Sequence, residues 1–251
     1  MFENNLDVII LAGGLGKRME SSLPKVCHKV GNKPMVVHVI ETARKLKPNN
    51  ILIVVGKYQE TISSVINEYT YIDDLTFVDQ PNAQGTGHAV QCCLPYLNPF
   101  HDSVILYGDT PLIKENTLNN LLELMEPTRM ITTILDNPFG YGRIIRDLES
   151  GDVVEIVEEK DCTEEQRLIQ TINTGIYVFP NSYLIDLLPL LTNNNAQNEF
   201  YLTDMISLII QHKKTPIGLH YLPIEKQMEI TGVNTKAQLE DINWLLSENN
   251  V

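Results

Sequence analysis

Four short apolar runs, DVIILA (Asp7–Ala12), ILIVV (Ile51–Val55), LTFVD (Leu75–Asp79) and SVILYGD (Ser103–Asp109), are separated by segments of helical periodicity. Runs that are apolar at nearly every position read as strands buried on both faces, and two-sided burial is the mark of a parallel sheet. Between them, Pro34–Leu46 puts Val36, Val39, Ile40, Ala43 and Leu46 on one helical face, with Pro34 suited to the first turn. Tyr58–Tyr69 and Gly87–Leu97 are the next helix candidates. The repeated order predicts an α/β fold: a Rossmann-like mixed, mainly parallel sheet flanked by helices on both faces.

The second half changes character. MITTILD (from Met130), GRIIRDL (from Gly142), DVVEIVEE (from Asp152) and TINTGIYVF (from Thr171) are strand-like with little helix between them. They read as extensions of the sheet and a smaller antiparallel lobe. Tyr183–Leu191 and Leu202–Gln211 read as helices, TPIGLHYL (from Thr215) as a late strand, and Thr235–Leu246 as a terminal helix with the only tryptophan, Trp244. No internal repeat is present. NNNAQN (Asn193–Asn198) is a polar loop, and the tail SENNV is expected to fray.

The chain's 251 residues, 43% of them apolar, suffice for a sizeable core. A net charge of −13 argues against a nucleic-acid binder, which would present a basic face. Any anionic ligand must therefore meet a local cluster of cations, and Lys17, Arg18 and Lys25 form one. Four cysteines without zinc spacing fit a reducing compartment. The start, MFENNLD, has no signal-peptide pattern, and the apolar runs are too short for a bilayer. The expectation is a cytoplasmic protein with no membrane partner.

The first strand runs into AGGLGKRM (Ala12–Met19). A Walker A loop fails here, because Arg18 follows Gly16-Lys17 and Leu11 stands five places before Gly16. The dinucleotide fingerprint fails too, because Met19 holds its third glycine position. What remains is a glycine turn whose backbone N–H groups can approach a nucleotide, followed by cations that can neutralise phosphate. A plain βα turn with solvated cations is the other reading of this stretch alone.

The rest of the chain bears on that choice. LAGGLGKRM, LPK, GNKPM, GTGHAV, LYGDTPLI, YGRI, VEEKD, INTGIYVF, EFYLTD and GVN occur in that order, from about residue 7 to 240. This series resembles the sugar-phosphate nucleotidyltransferase family. Within it, the chain is most similar to the uridylyltransferase domain of the bifunctional uridylyltransferase/acetyltransferases that make UDP-N-acetylglucosamine. The resemblance implies the nucleotide-diphospho-sugar transferase fold, with a nucleotidyltransferase domain over 1–230 and a metal-ligand loop and helix over 231–251. It implies transfer of a uridylyl group from UTP to N-acetylglucosamine 1-phosphate with release of pyrophosphate, using Mg²⁺.

The resemblance also implies roles by position. Leu11, Ala12, Gly13 and Gly14 line base and ribose, and Arg18 and Lys25 are the catalytic cations on the phosphates. Gln80 reads the uracil edge, with an amide that both donates and accepts. Gly85 and Thr86 precede a helix, where backbone groups can approach the nucleotide. Tyr107 and Gly108 border the nucleotide, and Asp109 and Asn234 are the metal ligands. Gly142, Glu158 and Asn173 hold the sugar, with Glu158 rather than Glu159 in register. Thr203 and Asp204 shape the sugar lobe. His88 takes no functional role in this reading. Lys17 stands where the family has threonine, and no role follows for it.

The relatives carry an additional β-helical acetyltransferase domain of hexapeptide repeats. No such repeat occurs here, so neither acetyltransferase activity nor the trimer held by that β-helix is expected. Two rival readings remain: a UDP- or dTDP-glucose pyrophosphorylase, and a non-catalytic nucleotide-sugar-binding regulatory protein. The latter should have lost Lys25 or Asp109, and both are present.

Overall fold

Strand β1 (Leu6–Leu11) is the hub of the sheet in the computed structural model, which describes residues 5–14 and 16–248. The expectations for the segment before Asn5, for the tail beyond Glu248 and for the side chain of Lys17 lie outside the described residues. β1 pairs in parallel with β4 (Asn50–Val55) on one side and β6 (Asp102–Tyr107) on the other, Val8 standing opposite both Ile51 and Val104. β5 (Leu75–Asp79) continues the parallel array beyond β4.

On the far side of β6 the direction reverses. β10 (Thr171–Pro180) runs antiparallel between β6 and β7 (Thr128–Ile134), and β11 (Ile217–Tyr221) closes that edge parallel to β7. β8 (Gly142–Arg146) and β9 (Val153–Val157) form the antiparallel lobe, joined to the first residues of β10. A two-stranded ribbon, β2 (Lys29–Val30) with β3 (Lys33–Pro34), turns at Gly31-Asn32.

The alternation of β1 divides the core. Val8 and Ile10 face α1 (Met35–Lys45), α2 (Gln59–Tyr69) and α4 (Glu115–Leu122), sharing a cluster with Val36, Ile40, Ile62 and Leu118. Ile9 faces α3 (Thr86–Gln91), α6 (Asn181–Leu187) and α7 (Asp204–Lys213), among Val90, Leu184, Met205 and Ile209. Successive strand residues point to opposite faces, so one run of apolar residues feeds both layers. α5 (Glu164–Arg167) is a single turn held by a capping box between Thr163 and Gln166.

Two expected helices end earlier in the structure. The segment Gly87–Leu97 is helical only to Gln91; Pro95 has no N–H to continue the ladder, and a 3-10 turn over Leu94–Tyr96 follows. Pro189 likewise ends the segment Tyr183–Leu191 in a 3-10 turn over Leu188–Leu190. Helix α4 was not expected: ENTLNNLL carries three asparagines, weak helix formers, and it holds through burial of Leu118 and Leu121.

Candidate active site

β1, β4, β5 and β6 all end at one edge of the sheet, and β10 begins there. Such an edge is where an open α/β sheet collects ligands. A cavity of about 700 Å³ occupies it. Leu11, Gly13, Gly14, Arg18, Lys25, Gln80, Gly85, Thr86, Tyr107, Asp109, Gly142, Glu158, Asn173 and Asn234 all line it. Ala12 and Gly108 do not reach it. They stand behind its wall, where a Cβ on Gly108 would lie 3.1 Å from Val26 Cγ1 and 3.4 Å from the Ala12 methyl.

β10 is bulged where it borders the cavity. Its first residues pair with β8, Asn173 opposite Gly142, and its last with β6, Tyr177 opposite Ile105; the register shifts between them. Gly175 sits in that bulge at φ +81°, and a Cβ there would lie 2.6 Å from Tyr107 Cε2. Only glycine takes this conformation without strain and leaves room for the ring. Burial, with the charges of Glu158 and Asp109, pushes the Tyr107 phenol well up, so it presents a neutral hydroxyl.

At the end of the cavity near β5, Gln80 is buried, and its Nε2 donates to Gly85 O at 3.1 Å. Gly85 opens α3 from a loop docked on the segment before α7. Gly87 N–H donates to Phe200 O, Phe200 N–H to Gln84 O, and Leu202 N–H to Thr86 Oγ1.

In the middle, Lys25 follows Pro24 in a 3-10 turn, and Gly16 lets it pass: a Cβ on Gly16 would lie 2.6 Å from Lys25 Cβ. Lys25 Nζ forms an ion pair with Asp109 and donates to Asn234 Oδ1 at 2.9 Å. Asp109 stands just past β6. Asn234 is delivered by a loop whose Val233 N–H donates to Asp109 O at 2.9 Å while the Val233 side chain is buried with Met35 and Ile242. The loop then enters α8 (Lys236–Glu248) through reciprocal bonds between Thr235 and Gln238. The oxygens of Asp109 and Asn234 therefore converge on one cation. A hard divalent ion suits this donor set, but two protein oxygens are too few to fill its shell, so phosphate oxygens or water must complete it. The described residues hold no cluster of three or more His, Cys, Asp or Glu able to bind a metal by themselves. Arg18 is exposed at the cavity rim and has no hydrogen bond or ion pair among the described residues.

Just past β9, burial pushes the Glu158 carboxyl up, against the hydrogen bond that Thr203 Oγ1 donates to it at 3.0 Å; Asp204, Asp161 and Glu199 nearby push further the same way. A carboxyl in this position can accept hydrogen bonds from whatever enters. Glu159 points elsewhere. It accepts from Arg143 Nη2 at 2.8 Å and from Gly140 N–H at 3.1 Å, bracing the loop Phe139–Gly142 that borders the cavity. That brace was not foreseen, although the arginine of YGRI and the second glutamate of VEEKD both carried it. Asn173 Oδ1 accepts from Gly175 N–H at 3.0 Å, which holds the bulge. The cavity thus brings together the Lys25 and Arg18 cations, the Asp109–Asn234 oxygens and the buried Glu158 carboxyl.

Residues 8–171 match the family of the MobA-like NTP transferase domain. A protein of Acanthamoeba polyphaga mimivirus named "Probable UDP-N-acetylglucosamine pyrophosphorylase" is 44% identical over 244 residues, 95% of each chain. The bifunctional protein GlmU of Paraburkholderia phymatum is 42% identical over 97% of this chain and 52% of its own length; that of Nitrosomonas europaea is 43% identical over 93% and 50%. The chain spans about half the length of these bifunctional relatives. Among solved structures, a Bacillus anthracis chain described as a glucose-1-phosphate thymidylyltransferase superposes with a TM-score of 0.72 at 20% identity, covering 96% of this chain and 94% of that one. HddC from Yersinia pseudotuberculosis gives 0.66 at 18% identity over 96% and 99%. These neighbours share the nucleotide-diphospho-sugar transferase fold, with the mostly parallel sheet and small antiparallel lobe described above. By family match and by identity over nearly its whole length, the chain belongs to the MobA-like NTP transferase family of nucleotidyltransferases.

Proposed function

We propose that the chain transfers a uridylyl group from UTP to N-acetylglucosamine 1-phosphate, giving UDP-N-acetylglucosamine and pyrophosphate. The observation that carries this reading is that one cavity gathers three kinds of group: the Gln80 amide, able to read a base, the Lys25–Asp109–Asn234 cation seat, and the buried Glu158 carboxyl, able to accept from sugar hydroxyls. The name of the mimiviral relative supports the same reading.

The chemistry needs no nucleophile from the protein. A phosphate oxygen of the sugar 1-phosphate forms a bond to the α-phosphorus of UTP as the bond from that phosphorus to the β-phosphate oxygen breaks. Pyrophosphate leaves with the electron pair. The protein's part is to align the two substrates and neutralise charge. Gln80, with Leu11, Gly13, Gly85 and Thr86, holds the nucleoside; Gly142, Glu158 and Asn173 hold the sugar. Lys25 and Arg18 offset the crowded phosphate oxygens, Arg18 toward the leaving group. Asp109 and Asn234 hold Mg²⁺, which when bound supplies charge neutralisation at those oxygens.

No helix among the described residues is long and apolar enough to cross a membrane, and the four cysteines are free; we assign the protein to the cytoplasm on the reducing conditions they fit. The test is pyrophosphate release from UTP, dTTP, CTP or GTP, each with N-acetylglucosamine 1-phosphate or glucose 1-phosphate, in Mg²⁺ or EDTA. UTP with N-acetylglucosamine 1-phosphate in Mg²⁺ is expected to dominate. A preference for dTTP with glucose 1-phosphate would overturn the specificity, and release with no pair would overturn catalysis.

A further inference from the structure

We propose that His88 is a positioning residue that locks the Gln80 amide in one orientation, so that the cavity offers the nucleobase an acceptor and selects a ring carrying N–H at its pairing edge. The inference rests on the reading that a uridine nucleotide occupies this end of the cavity.

The orientation follows from what each neighbour is able to do. Gly85 O only accepts, so the Gln80 atom 3.1 Å away must be the NH₂ group. The same nitrogen lies 3.1 Å from His88 Nδ1. With one amide hydrogen on Gly85 O, the other meets Nδ1, which must then carry a lone pair. The ring is accordingly neutral, with its proton on Nε2. That nitrogen faces Cys92 Sγ at 3.9 Å. Burial raises the Cys92 thiol, with Asp79 adding to the effect, so the sulfur stays a neutral, weak acceptor. A proton on Nδ1 would set two donors against each other. Flipping the amide to relieve them would turn Oε1 onto Gly85 O, acceptor against acceptor. One tautomer and one amide orientation therefore satisfy all the partners.

Both donors of Gln80 are thus used inside the protein, and Oε1 remains. It lies beside Gly13, 3.3 Å from where a Cβ of that residue would stand, and no donor among the described residues reaches it. Gly13, Gln80 and Gly85 line the cavity together. A uracil N3–H can donate to Oε1. Cytosine presents a lone pair at N3 and would confront the same oxygen, which is why the lock decides between these two pyrimidines. His88 itself does not line the cavity and acts only through Gln80.

The test has two arms. In wild-type protein labelled with ¹⁵N-histidine, the imidazole spectrum of His88 is expected to show Nε2 protonated and Nδ1 bare; an Nδ1–H tautomer would overturn the proposal. In the second arm, His88→Leu removes the acceptor, and His88→Asn can restore one, its Oδ1 bonded to Cγ as Nδ1 is. His88→Leu is expected to raise KM for UTP about tenfold, the worth of one such hydrogen bond, and to lower the preference for UTP over CTP by a similar factor. KM for the sugar phosphate should stay unchanged, and His88→Asn should recover most of the preference. A folded His88→Leu protein with the wild-type UTP-to-CTP ratio would overturn the proposal. If His88→Leu does not fold, the spectrum and the ratio in His88→Asn decide. Failure of wild-type protein to use any uridine nucleotide would instead count against the substrate assignment, and the spectrum would still decide whether the lock exists.

Discussion

Asn234 Oδ1 accepts a hydrogen bond from Lys25 Nζ at 2.9 Å across 209 residues of sequence, and the same ammonium pairs with Asp109. The lysine therefore occupies the point on which the two oxygens converge, where a divalent cation would sit. A divalent cation held by the same two oxygens would compete with the lysine, and the displaced ammonium would be free to meet phosphate. Lys25→Ala should consequently bind Mn²⁺ more tightly than wild type in the absence of nucleotide, by water-proton relaxation or electron paramagnetic resonance. Its turnover should fall about a hundredfold, the usual cost of losing one charge-stabilising donor. The protein should remain folded, since the seat opens to the cavity and not to the core. An unchanged Mn²⁺ affinity would show that the two cations do not share the seat.

Gly175→Ala should destabilise the fold and impair turnover together. The residue's φ of +81° disfavours any side chain, and the added methyl would lie 2.6 Å from the Tyr107 ring. About 1–3 kcal/mol of stability should be lost in urea unfolding. Gly140→Ala, also at positive φ but with open space around it, should cost the conformational part alone. Equal losses in the two variants would mean that the Tyr107 contact contributes nothing.

Glu159→Ala should leave the Arg143 guanidinium, almost wholly buried, without its carboxylate. Uncompensated charge of this kind costs about 3–5 kcal/mol. The loop carrying Gly140 also loses an acceptor, so KM for the sugar phosphate should rise more than KM for UTP. Combining it with Arg143→Met should recover part of the stability but not the sugar KM. Initial-rate kinetics with each substrate varied in turn would separate the two effects.

Asp204 supplies a pH signature. Burial pushes its carboxyl up to about 6, and Asp161 and Glu155 reinforce the shift. An unfolded aspartate titrates near ~4, so the folded chain holds this proton more tightly. The resulting stability is present below about pH 4 and is lost as the pH rises through about 6. Asp204→Asn should flatten that decline. After discounting for partial exposure and for the favourable first turn of α7, it should gain about 1 kcal/mol at pH 7. Urea midpoints at pH 4, 5 and 7 would check it, and a constant difference across the series would remove the assignment.

The parallel half of the sheet was legible because its strands are apolar on both faces, so a short run betrays them without any partner in view. The ordered motifs contain Arg18, Lys25, Tyr107, Asp109, Glu158 and Asn234, all of which line the cavity, but not Phe139, Gly140, Ile230 or Gln238, which line it too. Helix α4 was hidden because asparagine-rich sequence speaks against helix while two buried leucines hold it. The breaks at Pro95 and Pro189 were written in the chain, yet apolar periodicity ran past them. His88 stands in the GTGHAV motif, but a histidine at the start of a helix says nothing of what its ring nitrogens face.

Periodicity and residue type were thus enough for the layers and for the edge where a ligand collects, while the roles expected there came from the family resemblance of the ordered motifs. Periodicity and residue type operate over a few residues, through the repeat of a strand or helix and the capacity of each side chain to donate, accept or carry charge. Distance and orientation belong to the tertiary structure alone. It put Lys25 between Asp109 and Asn234, opened the bulge at Gly175 around Tyr107 and turned the Gln80 amide against His88. Each depends on elements far apart in sequence being packed together, where a shift of an ångström exchanges one hydrogen-bond partner for another.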